Sequence, residues 1–358
     1  MKRVFVSDCE GPISKNDNAF ELAENFIPNG DKFFANISKY DDILVDVFQK
    51  PGYSAGSTLR LILPFFKAYG LTDCQMEDFS SKNILLIANS KKTLAHIQTI
   101  ACSFIVSTSY EHYIRALCKE VDFPYKNTYS TKVKLDKCPI TPQEKERLRN
   151  IAQEIAQMPI VEIPRGAKEM ADFSKPDQAL IRRLDEIFWG KIPKMFVGKF
   201  LDIVTVGGEQ KANAICDILK RLGLKLMDVM YVGDSITDTE AFKLVRANGG
   251  LTLSFNGNSY AVKNAEVAVL SESNLVTALI ANLFSKLGKE QTLKTLKSWN
   301  LKTLQKSMAD EAMLKEIASH SDGLPKAQIV TKENMESLVK ESCEFRKKVR
   351  GVTIGRLG

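Results

Sequence analysis

Five short runs in this chain are apolar almost throughout and rich in β-branched residues: Arg3–Ser7, Ile84–Ala88, Phe104–Ser107, Val229–Gly233 and Gly250–Phe255. Such runs suit strands covered on both faces, the condition of a parallel sheet packed between helices. A further strand piece is expected at Ile203–Val206. Helical periodicity fills most of the gaps, at Lys91–Ala101, Tyr110–Lys119, Gln210–Leu222 and Asp238–Ala247. Strand and helix in alternation predict an α/β fold with a Rossmann-like parallel sheet.

Two intervals break the alternation. From Ile13 to about Ser80 the apolar positions (Phe20, Leu22, Phe26; Ile43, Leu44, Val47, Phe48; Leu59, Ile62, Leu63, Phe66) read as helices separated by the turns Pro28-Asn-Gly and Pro51-Gly. From about Asp136 to Lys199, one helix is opened by Thr141 with Pro142 at its first position, and another opens near Ser174, again followed by proline. After about Leu287 the strand pattern stops. Leu293, Leu296, Leu301, Leu304 and Met308 then repeat at helical spacing, and a second helix is expected from about Lys332 to Arg350. The pattern divides the chain into a sheet core (1–13, 81–135 and 200–287), a helical insertion after the first strand (14–80), a second insertion (136–199) and a helical, basic C-terminal extension (288–358).

The chain has 358 residues, 44% of them apolar and 26% charged, which excludes collagen-like, low-complexity and wholly disordered classes. Its net charge of +7 is local: from Ala281 onward there are 15 basic and 9 acidic residues, and 35 against 34 before it. A core so nearly neutral must attract an anion locally, and the extension reads as an appendage with a separate role. That extension interleaves Glu333, Glu336, Glu341 and Glu344 with its bases and has almost no aromatic residues, which argues against nucleic-acid binding. Seven scattered cysteines with no CxxC pair fit a reducing cytoplasm. The opening MKRVFVSDCEG has only a short apolar-leaning run before an acid, and no stretch approaches the roughly 20 apolar residues of a membrane span. A cytoplasmic location without membrane insertion is expected.

Chemistry collects at the ends of the strands, where open α/β sheets bind ligands. The first strand ends in Ser7-Asp8-Cys9-Glu10-Gly11-Pro12. Two carboxylates at i and i+2 in a turn can share a pocket, with the carbonyl between them open to a hard cation; the same residues also suit an ordinary strand-ending turn. The run Val106-Ser107-Thr108-Ser109 offers hydroxyls and N–H groups to phosphate oxygens, or caps a helix. Lys211 follows Gly207-Gly208-Glu209-Gln210 at the start of a helix, where the dipole disfavours a cation unless an anion is nearby; a solvated helix lysine is the alternative. The fourth group is Gly233-Asp234-Ser235-Ile-Thr-Asp238, two carboxylates placed as Mg²⁺ requires, although Asp238 also suits a helix cap. His96, His112 and His320 lack zinc spacing, His112 fitting a packed or solvated side chain, and Cys9 has no arginine within six residues to complete a cysteine-phosphatase loop.

In this joint order the groups resemble the four motifs of the haloacid dehalogenase superfamily of phosphohydrolases: Asp8-Cys-Glu10, Ser107, Lys211 and Gly233-Asp234-Ser-Ile-Thr-Asp238. The resemblance covers roughly residues 1–287. It implies Asp8 as the nucleophile that forms an aspartyl-phosphate, and Glu10 as the acid and base. It further implies Mg²⁺ held by Asp8, the Glu10 carbonyl and Asp234, with Asp238 in support of the metal or of Lys211, and Ser107, Thr108 and Lys211 on the phosphoryl oxygens. Glu10 and Pro12 depart from the commoner Asp and Thr or Val. The longer Glu10 side chain displaces its carboxyl by about 1.5 Å, although some phosphoserine phosphatase-like members have Glu there. In those members the insertion after the first strand is a helical cap, which implies a small phosphorylated metabolite. Asn16, Asp17, Asn18 and Arg60 are then candidate substrate contacts, Arg60 being equally suited to a surface ion pair. A narrower resemblance, carried by Asp8-Cys-Glu-Gly-Pro-Ile-Ser-Lys-Asn-Asp-Asn-Ala-Phe-Glu21, Gly52-Tyr53-Ser-Ala-Gly56 and Leu63-Pro-Phe-Phe-Lys-Ala-Tyr-Gly70, is to an uncharacterised branch of archaeal methanogen proteins sometimes labelled energy-converting hydrogenase-associated. The expectation is a Mg²⁺-dependent phosphomonoester hydrolase or phosphotransferase. The alternative is a weakly or non-catalytic accessory protein of an archaeal enzyme complex, docking a protein partner through its C-terminal extension.

Overall fold

The computed structural model describes residues 2–307, 310–319 and 324–355; Met308 and His320 of the sequence reading lie outside these. Seven strands form one sheet: β1 (Val4–Ser7), β2 (Cys102–Tyr110), β3 (Thr128–Thr131), β4 (Val229–Gly233), β5 (Leu251–Phe255), β6 (Val267–Leu270) and β7 (Lys326–Ile329), in the spatial order β3-β2-β1-β4-β5-β6-β7. The first six are parallel, and β7 closes the edge antiparallel to β6. β1, β4 and β5 are buried along their whole length, as their unbroken apolar character requires.

The helices before the second insertion are α1 (Asn18–Phe26), α2 (Gly30–Asp42), α3 (Thr58–Tyr69), α4 (Asp73–Lys82), α5 (Ser90–Ile100) and α6 (Glu111–Glu120). Then come α7 (Pro142–Gln157), α8 (Lys175–Asp185), α9 (Glu209–Leu222), α10 (Thr239–Ala247) and α11 (Ser259–Asn264). The chain ends in α12 (Leu275–Lys297), which breaks at Gly288, α13 (Leu301–Lys306), α14 (Glu311–Ser319), α15 (Met335–Arg350) and α16 (Val352–Gly355). Thr141 opens α7 with a capping box against Glu144, and Ser174 caps α8 ahead of Pro176, as their sequences anticipate.

Three expectations are corrected. Ile84–Ala88 is not a strand of the sheet: Ile87 donates to the carbonyl of Ile13, and Leu86 and Ala88 make only isolated bridges to Ser14 and Ser273. Both edges of β1 are already filled by β2 and β4, so this apolar run packs beside the turn after β1 instead. Ile203–Val206 runs past β3 without joining it; Val206 N–H donates to the Thr131 hydroxyl rather than to a ladder carbonyl, and Val204 is exposed. The C-terminal extension is not purely helical, since it contributes β7 to the sheet.

Both insertions bury their apolar faces in one shared core, separate from those flanking the sheet. Tyr40 of α2 stacks on Phe188 at 5.8 Å, and Phe65 of α3 meets Phe188 edge-on at 6.2 Å. The Tyr40 hydroxyl donates to Asp185 and accepts from the Trp189 indole at 2.7 Å, while the Asn36 amide donates to the carbonyls of Ile155 and Met158. Phe188 is fully buried, so Phe188→Ala is expected to cost about 3–5 kcal/mol, measured by urea unfolding. Amide exchange should quicken in α2 and α8 together. Faster exchange confined to α8 would show that the two insertions do not form one unit.

Candidate active site

The strand order reverses between β1 and β4, and the crevice beyond their carboxyl ends is where an open α/β sheet places a ligand. β1 releases Asp8 there and β4 releases Asp234. Asp8 N–H still donates to the Val232 carbonyl at 2.8 Å, as though continuing the sheet, and the chain then turns so that Ile13 and Ser14 N–H groups both return to the Cys9 carbonyl. Gly11 makes that turn possible. Its φ is +103°, and a Cβ there would stand 2.1 Å from Asp234 Oδ2.

Lys211, at the start of α9, is wholly buried, and its ammonium lies 2.6 Å from Asp8 Oδ2 and 2.7 Å from Asp238 Oδ1. Burial works against its charge, but the two carboxylates outweigh that and hold the ammonium protonated above its ordinary range. Asp8 is pushed up to about 7, chiefly by burial and against the pull of Lys211. Burial likewise raises Glu10 well above the usual carboxyl range, with Asp17 adding to it. The Glu10 carboxylate accepts from Asn18 N–H at 2.7 Å.

Carboxylate oxygens of Asp8, Asp234 and Asp238 all lie within 4.8 Å of one another, a spacing suited to a divalent cation. The three are not equivalent. Asp238 Oδ1 is held by Lys211 and by the Tyr231 hydroxyl, and its Oδ2 accepts from the N–H groups of Asp234 and Ser235 at 2.9 and 3.0 Å. Asp8 and Asp234 line the cavity and Asp238 does not.

That cavity holds about 110 Å³ and is also lined by Glu10, Asp17, Phe34, Ser107, Thr108 and Ser109. It is far smaller than the ~300–1,000 Å³ of an ordinary ligand pocket, because the insertion is folded down over the sheet. A Cβ on Gly207 would come within 2.2 Å of the Ala55 carbonyl, so the glycine turn before Lys211 is what lets the 54–56 loop of the insertion approach so closely. Ser107, Thr108 and Ser109 sit in an irregular stretch of β2, between Val106 and Tyr110, where the register with β3 shifts. They do not cap α6, whose N-cap residue is Tyr110 and receives no side-chain bond. The Ser107 and Ser109 hydroxyls lie 3.0 Å apart, and Thr108 Oγ1 donates to the Val206 carbonyl.

Of the candidate contacts from the insertion, only Asp17 lines the cavity, where it also caps α1 through Phe20 N–H. Asn16 is consumed by structure: its amide donates to Glu21 and to the Asn83 carbonyl, and its oxygen accepts from Leu85 N–H and the Tyr113 hydroxyl. Asn18 meets Glu10 through its backbone only. Arg60 is turned away from the cavity, over the Tyr53 ring and onto the Leu201 carbonyl at 3.0 Å, just beyond the end of the second insertion. His112 is buried, with Nε2 3.0 Å from Asp73 Oδ1, a packing role.

The site has occupants that the sequence reading missed. Arg346 and Arg350 of α15 both pair with Asp234 Oδ2, Arg350 at 3.0 Å, and both line the cavity. They reach it because Leu338, Ser342, Arg346 and Arg350 form the buried stripe of α15, with the Ser342 hydroxyl anchored on the Gly257 carbonyl at 2.7 Å. The four-residue spacing was there in the sequence, but arginines in a charged helix read as solvated.

A haloacid dehalogenase-like hydrolase family model matches residues 55–282. The chain belongs to that family. Among solved structures, the haloacid dehalogenase-like chain is similar to a gene product of Archaeoglobus fulgidus, at 27% identity and a TM-score of 0.82 over 100% of this chain and 99% of that one. It is more remotely similar to an apo phosphoserine phosphatase, at 12% identity and a TM-score of 0.46 over 81% of this chain and 100% of that one. No curated protein matches. Among the described residues no helix is long and apolar enough to cross a membrane.

Removing Lys211 leaves two buried carboxylates facing each other. Lys211→Met is expected to destabilise this hydrolase by about 3–5 kcal/mol in chemical denaturation, and Asp8→Asn added to it should restore part of the loss. A second expectation concerns Asp42, which burial raises to about 7. A carboxyl raised in the folded state binds its proton more tightly there, so its stability contribution is full below the ordinary carboxylate range and is lost as pH rises through about 7. Asp42→Asn should flatten the fall in melting temperature between about pH 5 and about pH 8, and an unchanged slope would rule the effect out.

Proposed function

We propose that the protein is a Mg²⁺-dependent phosphomonoester hydrolase, or a phosphotransferase of the same chemistry, acting in the cytoplasm on a small phosphorylated metabolite through an aspartyl-phosphate. The observation that carries this reading is Asp8 at the switch point, pinned by Lys211 and lining one small cavity together with Asp234. The donor set suits Mg²⁺, which takes one or two carboxylates and completes its shell with waters and substrate oxygens. Asp8, Asp234 and the Glu10 carbonyl would hold it. When bound, such a cation would supply charge neutralisation for the transferring phosphoryl group. Asp238, with both oxygens committed, is a positioning residue for Lys211 and for the turn after β4.

Asp8 attacks phosphorus as the alcohol oxygen leaves, taking its proton from Glu10. Burial raises Glu10 well above the usual carboxyl range, the direction that suits a role as the acid. Water then attacks the aspartyl-phosphate and returns a proton to Glu10, releasing phosphate and free Asp8. Lys211 and the Ser107 region stabilise the phosphoryl oxygens, where most of the catalysis of such a transfer lies. The insertion covers one side of the cavity, and its Asp17 lines it beside Asp8 and Glu10.

Purified protein is expected to hydrolyse p-nitrophenyl phosphate with Mg²⁺ and to lose turnover in EDTA. Asp8→Asn should lower kcat by at least about a thousandfold. Turnover that ignores either change would overturn the reading.

A further inference from the structure

Arg350 and Arg346 arrive in the site together, but their donors are used differently. Arg350 spends all three nitrogens on protein: Nη1 on Asp234, Nε on the Lys15 carbonyl at 3.0 Å and Nη2 on the Asn16 carbonyl. It fastens α15 to the turn after β1. Arg346 places one nitrogen, Nη1, on the carboxylate and carbonyl of Asp234. Its Nε is buried with no partner, and both of its hydrogen bonds among the described residues run through Nη1, which leaves Nη2 without one. The side chain is 3% exposed and lines the cavity.

A buried N–H left without an acceptor is costly, a reason to look for the group that would fill it. Nε and Nη2 together form one edge of the guanidinium fork, the geometry that meets a carboxylate or a phosphate with two parallel hydrogen bonds. The rest of the cavity wall is acidic, with Asp8, Glu10, Asp17 and Asp234 among its residues, and Arg350 has no nitrogen left, so this edge is where an anionic substrate group meets a cation. The transferred phosphoryl group already has Lys211 and the Ser107 region beside Asp8.

Resting on the phosphohydrolase reading above, we infer that Arg346 is a specificity-determining residue that binds a second anionic group of the substrate, a carboxylate or a second phosphate, through its free Nε–Nη2 edge. The preferred substrate is then a compact phosphomonoester carrying another negative charge a few bonds from the ester oxygen. The C-terminal helix is part of the substrate site rather than an attachment to it.

The test compares matched phosphomonoesters: ethyl phosphate against phosphoglycolate and ethane-1,2-diol bisphosphate, and propyl phosphate against 3-phosphopropionate. The wild type should prefer at least one doubly anionic member by tenfold or more in kcat/KM. Arg346→Gln should shrink that ratio at least tenfold, through KM rather than kcat, and Arg346→Lys should restore only part of it because an ammonium lacks the fork. A carboxylate preference and a bisphosphate preference separate the two sources of the anion. No preference in the wild type, or a ratio unchanged in Arg346→Gln, overturns the inference while leaving the hydrolase reading intact. If the wild type turns over no phosphomonoester, the hydrolase reading fails, and calorimetric binding of phosphoglycolate and the bisphosphate decides instead. Binding lost in Arg346→Gln sustains the arginine site, and binding unchanged or absent in the wild type ends it. Should Arg346→Gln fail to fold by thermal melting, Arg346→Lys carries both comparisons.

Discussion

Lys211 holds the site together. A fully buried ammonium between Asp8 and Asp238 has given up its hydration, and only two carboxylates at hydrogen-bond distance make that tolerable. Each carboxylate fixes a different element. Asp8 ends β1; Asp238 draws together the turn after β4 by accepting the N–H groups of Asp234 and Ser235, and holds Tyr231 on the strand itself. The lysine therefore sets the separation of the two strand ends at the switch point, and Asp234 is aimed as a result. Its burial requires the glycine turn at 207–208, which brings the first turn of α9 beneath the insertion loop.

The closed shape follows from how the two insertions pack. Neither runs back into the sheet; each offers an apolar face, and the two bury those faces on each other through Tyr40, Phe65 and Phe188. A cover made this way behaves as one piece, because shearing the two halves apart would expose aromatic surface. It rests on the sheet domain through hydrogen bonds, Tyr110 to the Leu59 carbonyl, His112 to Asp73 and Tyr260 to Asp46, and through the Phe66 ring edge-on to Tyr110 at 6.5 Å. Polar links exchange for water at little net cost, whereas the aromatic core does not. The cover and the carboxyl ends of the strands together bound the cavity of about 110 Å³ that Asp8 and Asp234 line.

Much of this was legible in the sequence wherever one physical rule decided the outcome. β1, β4 and β5 are buried on both faces and looked so; Thr141-Pro142 and Ser174 announced their helices. Asp8, Lys211 and Asp234 could be placed because each follows a strand or opens a helix. The failures came where tertiary competition decided. The run at Ile84–Ala88 has the composition of a strand but finds β1 already paired on both sides, whereas β3, with the sequence Thr-Tyr-Ser-Thr, is polar and pairs because it is next to β2. Asn16 and Arg60 are polar groups flanking apolar segments of the insertion, as substrate contacts would be, but the backbone carbonyls of Asn83 and Leu201 claim them first. Nothing local distinguishes a polar side chain that meets a ligand from one that satisfies a carbonyl.

The distribution of charge is what the fold changes most. By sequence the excess of positive charge lies after Ala281, apart from a nearly neutral core, which suggested that an anion is attracted by Mg²⁺ and Lys211 alone. In space the two are not apart. β7 carries the chain along the far edge of the sheet, and α15 then returns across α11 to place Arg346 and Arg350 on Asp234. Two guanidinium groups on one carboxylate leave a local positive excess where the cavity is otherwise lined with acids. A pocket with so many carboxyls would repel any phosphate ester if its walls were made of the core alone. The extension therefore adds positive charge to a cavity otherwise lined with acids, and a chain that ended before α15 would lose both guanidinium groups from Asp234.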